Sequence, residues 1–100
     1  MTVLVRYSPT SLTRETYDRV NAALGEPGGP EGPPTELALH VLWGDEPHLR
    51  VSELWESEEA WRRFYDGPLS QAFRAAGLEV DEPERVAVHS IWGSAIEQPA

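Results

Sequence analysis

Hydrophobic positions along this chain recur in two periods, and the switches between them mark out six elements. Thr2 to Tyr7 (TVLVRY) is a short β-branched run that predicts a first strand, and Ser8-Pro9-Thr10-Ser11 behind it is turn chemistry. Thr13 is placed to cap a helix on which Tyr17, Val20 and Leu24 form the apolar stripe, with Ala23 beside it and Gly25 closing it. Glu36 to Trp43 predicts a second strand, Gly44-Asp45-Glu46-Pro47 a turn, and His48 to Trp55 a third strand running back antiparallel. Ser57 then stands at a helix N-cap position, with Glu58 and Glu59 in the first turn where the helix dipole favours negative charge. Ala60, Trp61, Phe64 and Tyr65 follow at three- and four-residue spacing and define a buried face. Asp66-Gly67-Pro68 reads as a breaker, with Pro68 opening a second short helix that carries Leu69, Ala72, Phe73 and Ala76 and stops at Gly77. After a polar linker from Glu79 to Glu84, Arg85 to Trp92 (RVAVHSIW) predicts a fourth strand.

The order β-α-β-β-α-β predicts an α+β, ferredoxin-like domain with an antiparallel four-stranded sheet, over residues 1–93, followed by a tail at 94–100. Glu26 to Pro34 holds four prolines and three glycines in nine residues, so it is read as a surface loop, either a plain connector or a lid. Two helices cover one face of such a sheet and leave the other bare. Leu4, Leu42, Leu54 and Ile91 are expected on the bare face, where burying four large side chains is worth roughly 6–12 kcal/mol. That predicts a homodimer closed face to face.

Composition changes this picture mainly by exclusion. Eight basic residues, all arginine, against seventeen acidic ones give a net charge of −9, which disfavours nucleic acid and anionic membrane as partners. With no cysteine, disulfides, thiolate nucleophiles and Cys-based zinc sites drop out. No run reaches the length of a membrane span and no apolar signal segment precedes the first strand, so a cytoplasmic protein is expected.

Candidate chemistry rests on histidine and carboxylate. A four-residue loop between Trp43 and His48 would set His40 opposite Val51 and Ala38 opposite Glu53, making His40 and Glu53 diagonal neighbours on one face. Together they form either a general base with its orienting carboxylate or a buried ion pair. An acidic side chain at a central-strand position, between Val51 and Trp55 on the same face, is costly unless it has partners. His89, on the predicted fourth strand, is a ligand contact, an interface residue or a solvated edge residue. Tyr7, Trp61, Phe64 and Tyr65 are the remaining candidate ligand contacts, as walls of an aromatic pocket suited to a flat small molecule. Three histidines without HxH or HExxH spacing predict no metal site, and neither a Gly-x-Ser-x-Gly elbow nor a phosphate loop is present.

The segment Glu53-Leu54-Trp55-Glu56-Ser57-Glu58-Glu59-Ala60-Trp61, followed by the short helical piece Pro68 to Phe73, resembles the strand-to-helix signature of the dimeric α/β-barrel superfamily, in its antibiotic biosynthesis monooxygenase-like branch. Tyr17-Asp18-x-Val20-Asn21 and the histidines His40 and His89 are similar to those of small actinobacterial members. The resemblance implies a dimeric barrel and, as an activity, cofactor-free oxygenation or cyclisation of an aromatic or polyketide-like metabolite. The alternative it leaves open is a non-catalytic, ligand-binding dimer. Members of the branch often carry a helix histidine near the position of Phe64. Where haem-degrading members carry asparagine, tryptophan and histidine, this chain has Arg6 and Tyr7 on the first strand and Phe64 and Arg74 on the helix, which argues against haem as a substrate.

Overall fold

The computed structural model describes residues 1–25 and 34–93, so the Pro/Gly-rich stretch 26–33 and the tail 94–100 lie outside the described residues. Strand β1 (Val3–Tyr7) leads into helix α1 (Arg14–Leu24), which starts and stops where its sequence says it should. The Thr13 side chain accepts a hydrogen bond from the Thr16 amide, and Gly25 takes the left-handed conformation (φ 82°) that closes the last turn. Strands β2 (Leu37–Trp43) and β3 (Arg50–Trp55) form an antiparallel hairpin. In the sheet order β2-β3-β1-β4, β1 and β3 are central, and every pairing is antiparallel. No helix among the described residues is long and apolar enough to cross a membrane.

The second helical region departs from the expected break. Helix α2 (Glu58–Phe64), capped by the Ser57 hydroxyl, continues through a π-helical turn (Tyr65–Leu69) into α3 (Ser70–Ala76). Pro68 has no N–H to give to the helical ladder. The wider π turn absorbs that missing bond, as π turns do when an α-helix must accommodate an irregular residue, and the rod carries on. Gly77, with φ 71°, ends it in the left-handed conformation.

The fourth strand is also shorter than expected. Strand β4 covers only Glu84–Ala87, because it pairs with β1 alone and its rungs end where Ala87 meets Val3. One further bond, from the Val88 amide to the Thr2 carbonyl, closes that edge. His89 and Trp92 therefore lie beyond the sheet, and Trp92 is 83% exposed.

Alternation along the central strands sorts the side chains. Val3, Val5, Tyr7, Val51 and Trp55 are buried beneath α1 and the α2–α3 rod together with Val20, Trp61 and Ala72. Leu42 was expected on the bare face, but it pairs with Val51 and packs against this core instead. The opposite face carries Leu4 and Leu54, with Leu39, Val41, Trp43 and Val86 all more than a third exposed. Ile91 lies outside any strand.

Both helix caps are side-chain hydroxyls on the N3 amide, so each is expected to contribute about 1 kcal/mol. Thr13→Ala and Ser57→Ala should each lower the unfolding free energy by that amount and move the urea midpoint down accordingly, and the double variant should lose the sum because the caps share no partner. Urea titration followed by tryptophan fluorescence checks this, and an unchanged midpoint in either variant would remove the capping account.

Candidate active site

Hairpin register brings the site together. The stretch from Gly44 to Leu49 acts as a six-residue connection between Trp43 and Arg50, which pair directly. Relative to the expected four-residue loop, the register slides by two positions and keeps its parity. His40 consequently lies directly opposite Glu53 rather than diagonal to it, and an irregularity between Leu37 and Leu39 absorbs Ala38. His40 Nδ1 and Glu53 Oε2 are 2.7 Å apart.

Glu53 is the one buried charged residue among those described, 4% exposed, and its carboxylate is fully engaged. Oε1 accepts from the Tyr7 hydroxyl at 2.9 Å and from Trp55 Nε1 at 2.9 Å, while Oε2 takes the imidazole. Tyr7 Oη in turn accepts from Trp61 Nε1 at 2.8 Å. On the other side, His40 Nε2 lies 2.7 Å from Tyr17 Oη on α1. The chain Trp61–Tyr7–Glu53–His40–Tyr17 thus joins α2 to α1 across three strands. A carboxylate facing Nδ1 demands a hydrogen on that nitrogen, so the neutral imidazole presents the Nε2 lone pair to the Tyr17 hydroxyl. Burial, reinforced by the negative charge on Glu53, pushes the Tyr7 phenol far above its ordinary range and keeps it a donor.

Beneath α1 and α3 this network borders a cavity of about 280 Å³. Its walls are apolar, supplied by Val20, Leu24, Leu37, Val51, Leu69 and Phe73 among others, and its polar groups are Tyr7, Tyr17, Asn21, His40 and Glu53. No arginine lines it among the described residues. Glu53 is deep, whereas the His40 side chain on edge strand β2 keeps 34% of its surface exposed, so the His40–Tyr17 end faces outward. No three His, Asp or Glu side chains gather as a metal-ligand set among the described residues.

Of the expected site residues, His40, Glu53, Tyr7 and Phe64 meet at this cavity. Trp61 does not line it. It is wholly buried behind Tyr7, with the Arg62 and Arg85 guanidinium groups 4.7 and 5.0 Å from its ring. Tyr65 stacks on Trp61 at 4.9 Å and is likewise outside the lining. His89 is exposed beyond β4 and takes no part. Of the four tryptophans, Trp55 and Trp61 are core and Trp43 and Trp92 are exposed, while the aromatic lining is Tyr7, Tyr17, Phe64 and Phe73. Tyr17 and Asn21 were not singled out as site residues. The signal for Tyr17 was a polar-tipped aromatic on a helix stripe that must face the sheet, since a buried phenol seeks a partner.

The backbone can be matched to a solved structure. A protein from Chloroflexus aurantiacus J-10-fl, described as a candidate antibiotic biosynthesis monooxygenase, superposes with a TM-score of 0.61 over 93% of this chain and 98% of its own, at 16% identity. This chain has the ferredoxin-like fold. At that identity the likeness speaks for the fold alone, which agrees with the one implied by the Glu53–Trp61 segment. No family model and no curated protein matches the sequence.

Tyr7→Phe should cost about 1–3 kcal/mol, since it takes one donor from Glu53 and leaves Trp61 Nε1 buried without an acceptor. The raised phenol holds its proton in the folded state after the unfolded chain has lost it, so its contribution is complete below about pH 10 and declines as pH rises further. The stability gap between wild type and Tyr7→Phe should therefore narrow above that pH. Urea titrations at pH 8 and at higher pH decide it, and a gap that widens would sink the account.

Proposed function

We propose that the protein is a small cofactor-independent enzyme that removes a proton from a neutral aromatic or enolic metabolite held in the cavity, with His40 as the base and Glu53 as its orienting carboxylate. One observation carries this reading: a histidine and a buried glutamate, 2.7 Å apart, both border a cavity whose walls are otherwise almost wholly apolar. An imidazole held by a carboxylate at one nitrogen is set up to accept a proton at the other. The cavity volume falls just below the usual range of ligand sites, roughly 300–1,000 Å³, and suits one or two fused rings rather than a long polycycle. Among the described residues the lining offers no arginine to an anionic ligand, which favours a ligand that enters neutral and is ionised inside.

Once ionised, an electron-rich phenol can reduce dioxygen without any metal or flavin. Electron transfer gives a phenoxyl radical and superoxide, their recombination on a ring carbon gives a peroxide anion, and return of the proton held by His40 makes it a hydroperoxide. Loss of water then leaves a quinone, so that phenol and dioxygen become quinone and water. Ring closure of an enolate would ask for the same first step. The structural likeness to the Chloroflexus protein is consistent with the oxygenating route. A second reading, a binding protein without turnover, is favoured by one feature: both ring nitrogens of His40 are already engaged.

We also infer a homodimer through the open sheet face, because Leu39, Val41, Trp43 and Val86 form an apolar surface on a single layer. Light scattering at micromolar concentration should give about twice the 11.2 kDa chain mass, and Val41→Glu should return it to one. A wild-type protein that stays at the single-chain mass ends that part of the proposal.

With 1-naphthol as the probe, oxygen uptake and quinone absorbance should rise in the presence of the protein. His40→Gln and Glu53→Gln should each reduce that rate by about 10²–10⁴-fold, the usual worth of a positioned general base. Should probe binding be intact while neither wild type nor variants consume oxygen, the binding-protein reading replaces the oxygenating one.

A further inference from the structure

In this site the acid–base nitrogen is not free. Nδ1 of His40 faces Glu53 and Nε2 faces Tyr17, each at 2.7 Å, so neither ring nitrogen is left open to a ligand while the Tyr17 side chain lines the cavity beside it. We propose that Tyr17 is the catalytic group that touches the ligand and that it passes the ligand's proton through its own hydroxyl to His40. The inference rests on the acid–base reading of His40 and Glu53 given above.

The alternative geometry has Tyr17 swinging away so that the ligand hydroxyl takes its place. Several features hold it where it is. Helix α1 is capped at both ends, by Thr13 and Gly25, so the backbone under Tyr17 is fixed. The ring packs against the hydrophobic core, and its face lies 5.7 Å from the Arg14 guanidinium, which is itself tied to Asp18 at 3.0 Å. Tyr17 and Asn21 stand one helical turn apart and both line the cavity, so the same face of α1 offers a hydroxyl and a side-chain amide to one ligand.

The step balances without any further reactant. The ligand O–H bond breaks and its proton binds Tyr17 Oη, while the hydrogen already on Tyr17 Oη moves to His40 Nε2. The products are a ligand anion, a neutral Tyr17 and an imidazolium whose Nδ1–H lies against the Glu53 carboxylate. Tyr17 ends as a donor to the new anion, in a chain running from carboxylate through imidazolium and phenol to phenolate. Reversal of the same path returns a proton to a product.

The probe for the test is 4-nitrophenol, a single ring whose anion is coloured and whose neutral form is not. Bound to the wild-type protein at a pH below its own ionisation, it should show the anion band. In Tyr17→Phe, which keeps the ring and its packing, the probe should still bind within a few-fold, but its anion fraction should fall to that of the free probe. A structural role for Tyr17 would alter affinity or folding without changing the colour of what is bound. Incorporating 3-fluorotyrosine at position 17, a more acidic hydroxyl of nearly the same size, should shift the anion fraction without changing the unfolding midpoint. The proposal is overturned if Tyr17→Phe ionises the probe as well as wild type, or binds it more tightly, because the hydroxyl would then only fill a place that the ligand takes beside His40. Failure of the underlying reading looks different: wild type would bind the probe neutral or not at all, or His40→Gln would ionise it as fully as wild type.

Discussion

A buried carboxylate is the constraint on which this structure turns. Glu53 sits at the centre of the sheet, away from water, in a place where an ionised group without partners would cost several kcal/mol. Its partners come from separate parts of the chain: Tyr7 from β1, His40 from β2, and Trp55 from its own strand. None of these reaches it unless the register is right. Slipping β3 by one residue against β1 would turn Glu53 to the opposite face and leave the Tyr7 hydroxyl without its carboxylate acceptor. The carboxylate thus stabilises the fold little by its own burial, and it makes wrong pairings costly.

The same requirement shapes the chemistry. Satisfying both carboxylate oxygens fixes the imidazole plane and directs Nε2 toward α1, so the group with acid–base capacity is held by the network that resolves the burial problem. Tyr7 belongs to the structural half: burial and the neighbouring charge keep it protonated, which makes it a dependable donor and a poor base. His40 belongs to the other half, with its side chain partly exposed on the edge strand. Along one chain of hydrogen bonds, polarity runs from a dry, fixed end at Trp61 to a wetter end at Tyr17.

Local signals in the sequence carried most of the fold. Thr13, Gly25, Ser57 and Gly77 mark helix ends because each answers a need of the adjacent backbone, and the structure places all four at caps. Where the outcome depended on a partner strand or on helix context, local signals ran out. Arg85 to Trp92 has strand-forming composition throughout, yet only Glu84–Ala87 find rungs on β1. Asp66-Gly67-Pro68 carries every mark of a break, but the packing of the flanking α2 and α3 segments keeps the rod going through a π turn. The His40–Glu53 pairing was legible in kind because parity survives a two-residue slide, while its directness depended on loop length. Tyr17 read as one of three stripe residues, and nothing local distinguishes a phenol that packs from one that also reaches across to a strand.

Alternation along β3 has a last consequence. Glu53 and Leu54 are neighbours in sequence and point to opposite sides of the sheet, one into the polar network and the other between Leu4 and Leu39. The Tyr7, Tyr17, His40 and Glu53 side chains that border the cavity lie on the helical side. A partner on the apolar side therefore meets a surface that holds neither His40 nor Glu53. Coupling between the two sides has to pass through the β3 backbone and its rungs to β1 and β2. These are the rungs that set His40 against Glu53, so a change that loosens the open face reaches the site by altering register, and the carboxylate's need for its partners resists that alteration.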